Sequence, residues 1–345
     1  MIFLDVTKAA ASRHRSGLVR VGGRLAENFG LAAHQIVWPK WDRAVKRGDW
    51  FLTPELFSEN ERPGFSAFLE ERPCRFAAIF HDAIPLKLPH ITWPHSVARH
   101  PYYLKLLSRF DCVWAVSEAS RRELLGFWQW QGVEKAPPVE VLALGADFNA
   151  SPRSPGRRES EVPQLLCVGI LEPRKNQSFL FEVCESLWRD GLKFELHIVG
   201  RVNPHFGEPV LARLKELRRR YRGLHYHENA NDAEVAQLYS SARASVFPTI
   251  AEGCGLPLLE SLWMGVPCVC SDLPVLRENA DGGGCLPVAL NDHAAWKTAL
   301  TRVLTDDALG ERLSKEASTR ELPTWAGATR SMLKVMQAER LKLQH

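Results

Sequence analysis

Short apolar runs alternate with helical segments along almost the whole chain, and this pattern constrains the fold more than any other feature. Strands that alternate with helices form βαβ units and parallel sheets. The predicted strands span residues 2–6, 34–38, 75–81, 112–117 and 139–144, then 164–169, 194–200, 224–227, 244–248 and 267–271. The predicted helices span residues 18–29, 118–127, 177–189, 209–221, 233–241, 256–264 and 325–341. The predicted fold class is therefore α/β.

Residues 151–163 are rich in proline, serine and charge and interrupt the alternation. Such a segment cannot bury an apolar face, so it is interpreted as an interdomain linker. The chain has 345 residues, which exceeds the roughly 100–150 residues of a common domain. We expect two doubly wound, Rossmann-like domains that face each other across a cleft, with ligands at the carboxyl ends of the strands. The predicted parts are an N-terminal domain at 1–150, the linker at 151–163, a C-terminal domain at 164–323, and a terminal helix region at 324–345 that packs back on the first domain.

Composition excludes several classes of protein. The formal charge of +4 is small for a nucleic-acid binder, and no arginine-rich helix supports one. The eight cysteines show no metal-binding spacing, which indicates reduced thiols of a cytoplasmic protein. The N-terminus lacks a signal-peptide layout, and no charge-free run approaches the ~18 apolar residues of a membrane helix. Any membrane contact is therefore expected to be peripheral, at the inner face of the cytoplasmic membrane.

Two glutamates, Glu252 and Glu260, flank a glycine turn between a predicted strand and a predicted helix. Gly253 and Gly255 let a ligand approach the backbone closely. Amides at the start of the helix and the positive end of its dipole favour an anion such as a phosphate. One carboxylate at each end of such a pocket indicates a sugar nucleotide. Because strand, glycine turn and helix recur in α/β proteins, a purely structural turn is the alternative.

Two adjacent cations, Arg174 and Lys175, follow the predicted strand at 164–169 and precede the next helix. Cations are unfavourable at a helix N-terminus, so we expect an anion such as a diphosphate to lie between them. Together with the amides near Gly255, they would stabilise a negative leaving group as a glycosidic bond breaks. A solvated pair of surface charges is the alternative interpretation.

Polar side chains also follow two predicted strands of the first domain. His81 and Asp82 come at the end of the strand at 75–81, which favours a position in a cleft. A hydrogen-bonded structural histidine is the alternative for His81. Ser117 precedes a predicted helix, and its hydroxyl can cap the start of that helix. Arg121 lies one helical turn further along the chain. Asp82, Ser117 and Arg121 are the acceptor-side candidates.

Aromatic and polar residues alternate at 127–131, around Trp128 and Trp130. This alternation favours the edge strand of a sheet. An interfacial anchor for a lipid-linked acceptor is the second interpretation.

Taken together, these segments resemble the GT-B glycosyltransferases, in particular the retaining family 4 that includes bacterial mannosyl-, rhamnosyl- and glucosyltransferases. The family's Arg-Lys-Asn turn is matched at residues 174–176, its Glu-x7-Glu signature at Glu252 and Glu260, and its Gly-x-Pro-Cys strand at 265–268. Residues 3–7 and 16–20 look like a subset that builds bacterial surface polysaccharides. The chain departs from the family pattern where Cys254 replaces a frequent phenylalanine and where a single Gly17 replaces paired glycines.

The resemblance implies a role for each matched position. The arginine and lysine bind the donor diphosphate, the first glutamate contacts the transferred sugar, the second binds the ribose, and a histidine at the position of His81 lies near the reacting carbon. The implied catalytic residues are His81, Arg174, Lys175 and Glu252. The implied donor-binding residues are Gly17, Arg20, Arg174, Lys175, Glu252, Gly253, Cys254, Gly255, Leu256 and Glu260.

The implied activity is transfer of a hexose, with retention, from a nucleoside diphosphate sugar to a hydroxyl of a bacterial surface glycan or lipid-linked oligosaccharide. The sequence shows no metal-ligand cluster, so neither a metal nor another cofactor is expected. A nucleotide-sugar epimerase of the same fold and a catalytically silent sugar-nucleotide-binding or glycan-binding partner are the alternatives.

Overall fold

A computed structural model describes residues 1–11, 17–40, 44–148, 153 and 161–341 of the chain. Its contacts divide the protein into two compact units. Unit 1 comprises Met1–Gly145 and Pro323–His345, and unit 2 comprises Ala146–Leu322. Each unit contains one six-stranded sheet whose neighbouring strands all run parallel. The predicted α/β class with two doubly wound sheets is confirmed. Most of the predicted interdomain linker lies outside the described residues.

The sheet of unit 1 has the strand order β2-β1-β3-β4-β5-β6. Its strands are β1 Ile2–Asp5, β2 Ala33–Ile36, β3 Trp50–Thr53, β4 Arg75–Phe80, β5 Cys112–Ala115 and β6 Val139–Val141. Its first helices are α1 Thr7–Ala11, α2 Gly17–Phe29, α3 Phe65–Glu71, α4 Ile84–Lys87, α5 Pro94–Leu107 and α6 Glu118–Trp130. The order reverses between β1 and β3, so the loops after these strands meet at a topological switch point.

The core of unit 1 is rich in aromatic side chains. Phe51 of β3, Phe76 of β4 and Phe65 of α3 are fully buried in one cluster. Their ring centroids lie 5.3 to 6.1 Å apart, in tilted and edge-to-face pairs. Helix α2 buries Val21, Leu25 and Phe29, whose spacing of four residues places them on one helix face.

Unit 2 has the strand order β12-β11-β10-β7-β8-β9. Its strands are β7 Gln164–Val168, β8 Glu195–Val199, β9 Leu224–His227, β10 Ala244–Phe247, β11 Cys268–Ser271 and β12 Cys285–Val288. Its helices are α7 Gln177–Arg189, α8 Glu208–Arg220, α9 Asp232–Ser241, α10 Leu256–Trp263, α11 Pro274–Ala280, α12 His293–Thr305 and α13 Asp307–Thr319. The order reverses between β7 and β10, which places a second switch point at the ends of these two strands.

The last helix, α14 Trp325–Leu341, belongs to unit 1 although it follows unit 2 in the chain. Trp50 on β3 donates its indole N–H to the carbonyl of Met336 at 3.3 Å. The backbone of Gly145 lies so close to Trp325 that an added Cβ would meet the Trp325 nitrogen at 2.3 Å. These contacts hold α14 on the unit that contains the N-terminus.

The interpretation of residues 127–131 as a sheet edge is wrong, because the segment forms the end of α6 and the turn after it. Trp128 is 1% exposed, and its indole donates to the Leu104 carbonyl at 2.8 Å, so it is a core residue and cannot anchor the protein at an interface. Trp130 is 77% exposed. Among the described residues, no helix has the length and apolar character needed to cross a bilayer.

Candidate active site

Two loops meet at the switch point of unit 2. One follows β7 and contains a short 3₁₀ turn at Pro173–Lys175, and the other follows β10 and leads into α10. The backbone N–H of Ile250 donates to the carbonyl of Arg174 at 2.9 Å, and the hydroxyl oxygen of Thr249 lies 3.1 Å from the same carbonyl. The loops are therefore fixed to each other where an α/β sheet commonly binds its ligand.

The carboxylate of Glu252 receives both predicted cations. Its Oε1 atom accepts hydrogen bonds from Lys175 Nζ at 2.6 Å, from Arg174 Nη1 at 3.0 Å and from Thr249 Oγ1 at 2.8 Å. Arg174 also donates to the carbonyl of Ala251 at 2.9 Å and pairs with Glu172 at 2.6 Å. The structure thus brings Arg174, Lys175 and Glu252 together, although 77 residues separate Lys175 from Glu252.

Burial determines the electrostatics of this group. Lys175 is 9% exposed, and its ammonium lies 4.9 Å from the centre of the Phe247 ring. Desolvation lowers the pKa of Lys175, against the opposing effect of Glu252. Burial alone would raise the pKa of Glu252, but Lys175 and Arg174 hold it below its ordinary value. Glu252 therefore remains a carboxylate at neutral pH, and the stability that it contributes is lost only as the pH falls below about 4.5. Burial disfavours the charged form of a lysine, and ionisable groups with pKa values shifted in this way are characteristic of functional sites.

Helix α10 begins beside this group without a side-chain cap. Gly255 at its N-cap has a φ of 82°, a left-handed conformation that favours glycine. Gly253 lies in the loop just before Gly255, and Leu256 is the first residue of α10. Backbone amides at an uncapped helix start and the helix dipole together attract anions. The turn therefore offers a second positive element beside Arg174 and Lys175.

Replacing Gly255 by alanine is expected to destabilise unit 2 by at least 1–2 kcal/mol, the approximate cost of a left-handed conformation for a residue with a Cβ. The added Cβ would also meet Leu276 Cδ2 at 2.6 Å. Urea denaturation measures the change. Gly126→Ala is the control, since its Cβ would have no neighbour within 4 Å and α6 gains helix propensity. Equal stability of the two variants would contradict the conformational requirement at Gly255.

Two further predicted donor residues lie in or beside α10. Glu260 is 5% exposed within the helix. The backbone carbonyl of Cys254 accepts a hydrogen bond from the Asn279 side chain. Burial, together with the carboxylates of Glu252, Glu278 and Glu260, raises the pKa of the Cys254 thiol to about 12. Cys254 is therefore protonated at neutral pH and is not a nucleophile.

The predicted residues of the first domain lie in unit 1. His81 follows β4 and, with Asp82 and with Leu18 of α2, lines a cavity of about 350 Å³. His81 Nε2 lies 2.7 Å from the carbonyl of Pro54, which can only accept, so Nε2 carries the proton and Nδ1 is left as an acceptor. Burial lowers the pKa of His81, which keeps the ring neutral. Arg20 and Gly17 both lie on α2.

Ser117 and Arg121 make contacts within unit 1 that give them structural roles. The Ser117 hydroxyl caps α6 by accepting from the Ser120 N–H at 3.0 Å. Arg121 donates to the carbonyl of Val139 on β6 at 2.9 Å and pairs with Glu118 at 3.2 Å. Neither residue is among those that line the cavity beside His81. Asp82 is the acceptor-side candidate that lines this cavity.

Sequence reasoning missed a buried ionic group at the switch point of unit 1. Arg62 contacts Asp5 at the end of β1 and Glu55 just after β3, and all three are at most 8% exposed at their side chains. Glu55 in turn accepts from the backbone N–H groups of Lys8 and Ala9 at 2.8 Å each. The sequence signals were Asp5 and Glu55 at the ends of apolar runs. Their common partner, Arg62, carries no local signal because it lies in a turn.

Comparison with known proteins relates unit 2 to one enzyme family. Residues 151–320 match the family described as glycosyl transferases group 1. Unit 2 belongs to the group 1 glycosyl transferases. This membership confirms the resemblance that the Arg-Lys-Asn turn and the Glu-x7-Glu signature indicated.

Two curated relatives from Escherichia coli share part of the chain. The serotype-specific mannosyltransferase WbdA is 29% identical over 216 residues, 59% of this chain and 26% of WbdA. O-antigen chain mannosyltransferase B is 28% identical over 261 residues, 72% of this chain and 66% of that protein. The chain thus spans about a quarter of the length of WbdA.

The solved structure of Anabaena HepE in complex with UDP and glucose shares the fold of the whole chain. Its TM-score is 0.74 at 13% sequence identity, with 97% of this chain and 99% of HepE covered. At this identity the likeness establishes the fold alone. The fold of the chain is that of the GT-B glycosyltransferases.

Proposed function

We propose that the chain is a retaining glycosyltransferase that transfers a hexose from a nucleoside diphosphate sugar to a hydroxyl group of a bacterial surface glycan or lipid-linked oligosaccharide. One observation carries this proposal. In a group 1 glycosyl transferase unit, Arg174, Lys175 and Glu252 converge at the switch point beside the uncapped start of α10. Two cations and a helix N-terminus form a site for a diphosphate.

Mannose is the donor hexose that we propose, because both E. coli relatives are named mannosyltransferases. One of them is named for an O-antigen chain, so the proposed acceptor is a saccharide of that kind. We place the reaction in the cytoplasm. A lipid-linked acceptor would bring the protein into peripheral contact with the inner face of the cytoplasmic membrane.

The proposed reaction takes place on one face of the sugar. The bond from the anomeric carbon to the diphosphate oxygen breaks as the bond to the acceptor oxygen forms, and the leaving phosphate accepts the proton of the acceptor hydroxyl. Arg174 and Lys175 stabilise the charge that develops on the diphosphate. Glu252 holds both cations in place before the donor binds and contacts the transferred sugar, while Glu260 binds the ribose. His81, neutral with a free acceptor at Nδ1, is the proposed catalytic residue of unit 1.

A panel of nucleoside diphosphate sugars tests the proposal. We expect the cognate donor, GDP-mannose first among them, to raise the melting temperature and to undergo slow hydrolysis in the absence of an acceptor. The panel also separates the alternatives, because an epimerase would convert the donor to its epimer. A silent partner would bind a donor with neither hydrolysis nor transfer to a saccharide acceptor. Either of these results would contradict the proposed transferase function and favour the corresponding alternative.

No divalent cation is expected to take part in the transfer, because Arg174, Lys175 and the start of α10 supply the positive charge at the diphosphate. Transferase activity should therefore be the same in EDTA as in buffer with Mg²⁺. Initial rates with a saturating donor measure this. Strict dependence on Mg²⁺ would contradict the role assigned to the two cations.

A further inference from the structure

Three histidines and a glutamate lie on one face of the unit 2 sheet, at its β9 edge. Leu196 and Ile198 of β8 point into one core and are fully buried. The alternate residues Glu195 and His197 therefore lie on the opposite face. His225 of β9 is the register partner of His197. Parallel sheets covered on both faces have nearly continuous apolar strands, so these polar residues need a partner other than an apolar core.

The distances within this group fit a metal site. His197 Nε2 lies 3.3 Å from Glu195 Oε2, and His225 Nε2 lies 3.6 Å from Glu195 Oε1. The three ligand atoms all lie within 4.8 Å of one another. A tetrahedral zinc ion with bonds of about 2.0–2.2 Å places neighbouring ligand atoms roughly 3.3–3.6 Å apart. His197 Nε2 and His225 Nε2 each lie at about this distance from Glu195, but they approach different carboxylate oxygens, so binding one ion requires the side chains to rotate.

His225 provides an independent indication. Its Nε2 atom is shielded from solvent and makes no hydrogen bond to any residue that the structure describes. Shielded nitrogen atoms are almost always satisfied by a partner. A cation between His225, His197 and Glu195 would satisfy it.

His227 occupies the place of an orienting residue. Its Nε2 lies 3.1 Å from His197 Nδ1, the ring nitrogen that faces away from Glu195. Metal-ligating histidines usually have their second nitrogen held in this way, which fixes the tautomer and the ring. His197 and His227 also line a cavity of about 540 Å³ beside α9, which gives a cation a route to the group.

We propose that Glu195, His197 and His225 bind a divalent cation of the zinc class, with His227 as the positioning residue. Two imidazoles and a carboxylate suit zinc, whereas magnesium and calcium prefer oxygen ligands alone. The ligands lie on β8 and β9 rather than in the loops after β7 and β10. The site is therefore separate from the proposed donor site.

Calorimetric titration of the tag-free, chelator-dialysed full chain with Zn²⁺ tests the proposal. We expect one Zn²⁺ to bind per chain, a rise in melting temperature on binding, and no binding of Mg²⁺. His225→Gln should weaken Zn²⁺ binding by more than about 10²-fold, and His227→Gln by about 10–100-fold. His205→Gln, which changes an exposed histidine of the same unit, should bind as the wild type does.

The proposed site would be overturned if the wild type binds no Zn²⁺, or if His225→Gln binds Zn²⁺ as tightly as the wild type does. If circular dichroism shows that His225→Gln does not fold, His227→Gln decides the question, since unchanged affinity there would also reject the proposed geometry. The visible spectrum of the Co²⁺-loaded protein adds a direct readout of tetrahedral coordination. These measurements need no sugar donor, so their outcome is independent of the proposed function.

Discussion

Replacing Lys175 by alanine is expected to lower kcat/KM for the sugar donor by about 10²-fold, the loss that follows removal of one charge-stabilising donor in an active site. Lys175 Nζ lies 2.6 Å from Glu252, and its charge is kept in a buried position where electrostatic interactions are strong. Arg174→Ala should give a loss of similar size. Because both charges act on one leaving group, we expect the double variant to lose less than the product of the single effects. Steady-state transfer kinetics with the donor identified by the panel measure all three variants.

Arg189→Ala provides the matched control. Arg189 is also a cation of unit 2, lies on α7 and pairs with a glutamate, Glu185, but its side chain is 63% exposed. Its removal should leave kcat/KM within about twofold, since exposed ion pairs contribute little. Melting temperatures of all variants separate loss of folding from loss of catalysis. Wild-type rates in folded Lys175→Ala and Arg174→Ala would contradict the proposed role of the two cations at the diphosphate.

The parts of this site differ in how far the sequence could predict them. Arg174, Lys175 and the turn around Gly255 have local signals, because cations before a helix and glycines after a strand are unusual in themselves. The pairing of Lys175 with Glu252 has no local signal, since it depends on β7 and β10 being neighbours in the sheet. Sequence reasoning expected an anion between the cations, and the structure adds that the Glu252 carboxylate contacts both of them, a pairing that was not predicted.

Most strands were predicted, but β3 and β12 were missed. Strand β3, Trp50–Thr53, is buried at all four positions, so it lacks polar alternation, and a short apolar run does not by itself distinguish a strand from a helix. Strand β12 contains Pro287, which argues against a central strand but is tolerated at the sheet edge where β12 lies. The prediction of an edge strand at residues 127–131 was wrong because an alternation of aromatic and polar residues also fits the end of a helix. Leu124 and Trp128, one helical turn apart, are both buried.

Replacing Arg62 by leucine is expected to cost unit 1 about 3–5 kcal/mol of stability, the usual effect of removing one partner from a buried ion pair. Arg62 is 1% exposed, and its Nε and Nη2 atoms each lie 3.2 Å from Asp5 Oδ2. Its Nη2 also contacts Glu55. Without the guanidinium, two buried carboxylates face each other with no compensating charge. Urea denaturation of the full chain, followed by tryptophan fluorescence, measures the loss. Arg109→Leu removes an exposed pair with Glu70 and should cost at most about 1 kcal/mol.

The pH dependence of the Arg62→Leu variant distinguishes lost charge compensation from lost packing. Burial and the Asp5 carboxylate already raise the pKa of Glu55, and Arg62 opposes that rise. Removing Arg62 raises this pKa further, so the folded variant binds a proton more readily than its unfolded chain does. A raised carboxyl pKa destabilises the folded state fully above the folded-state pKa, and this penalty decreases as the pH falls from there toward the pKa of the unfolded chain. The stability deficit of Arg62→Leu relative to the wild type should therefore be smaller near pH 5 than near pH 8. A deficit that is the same at both pH values would assign the effect to packing alone.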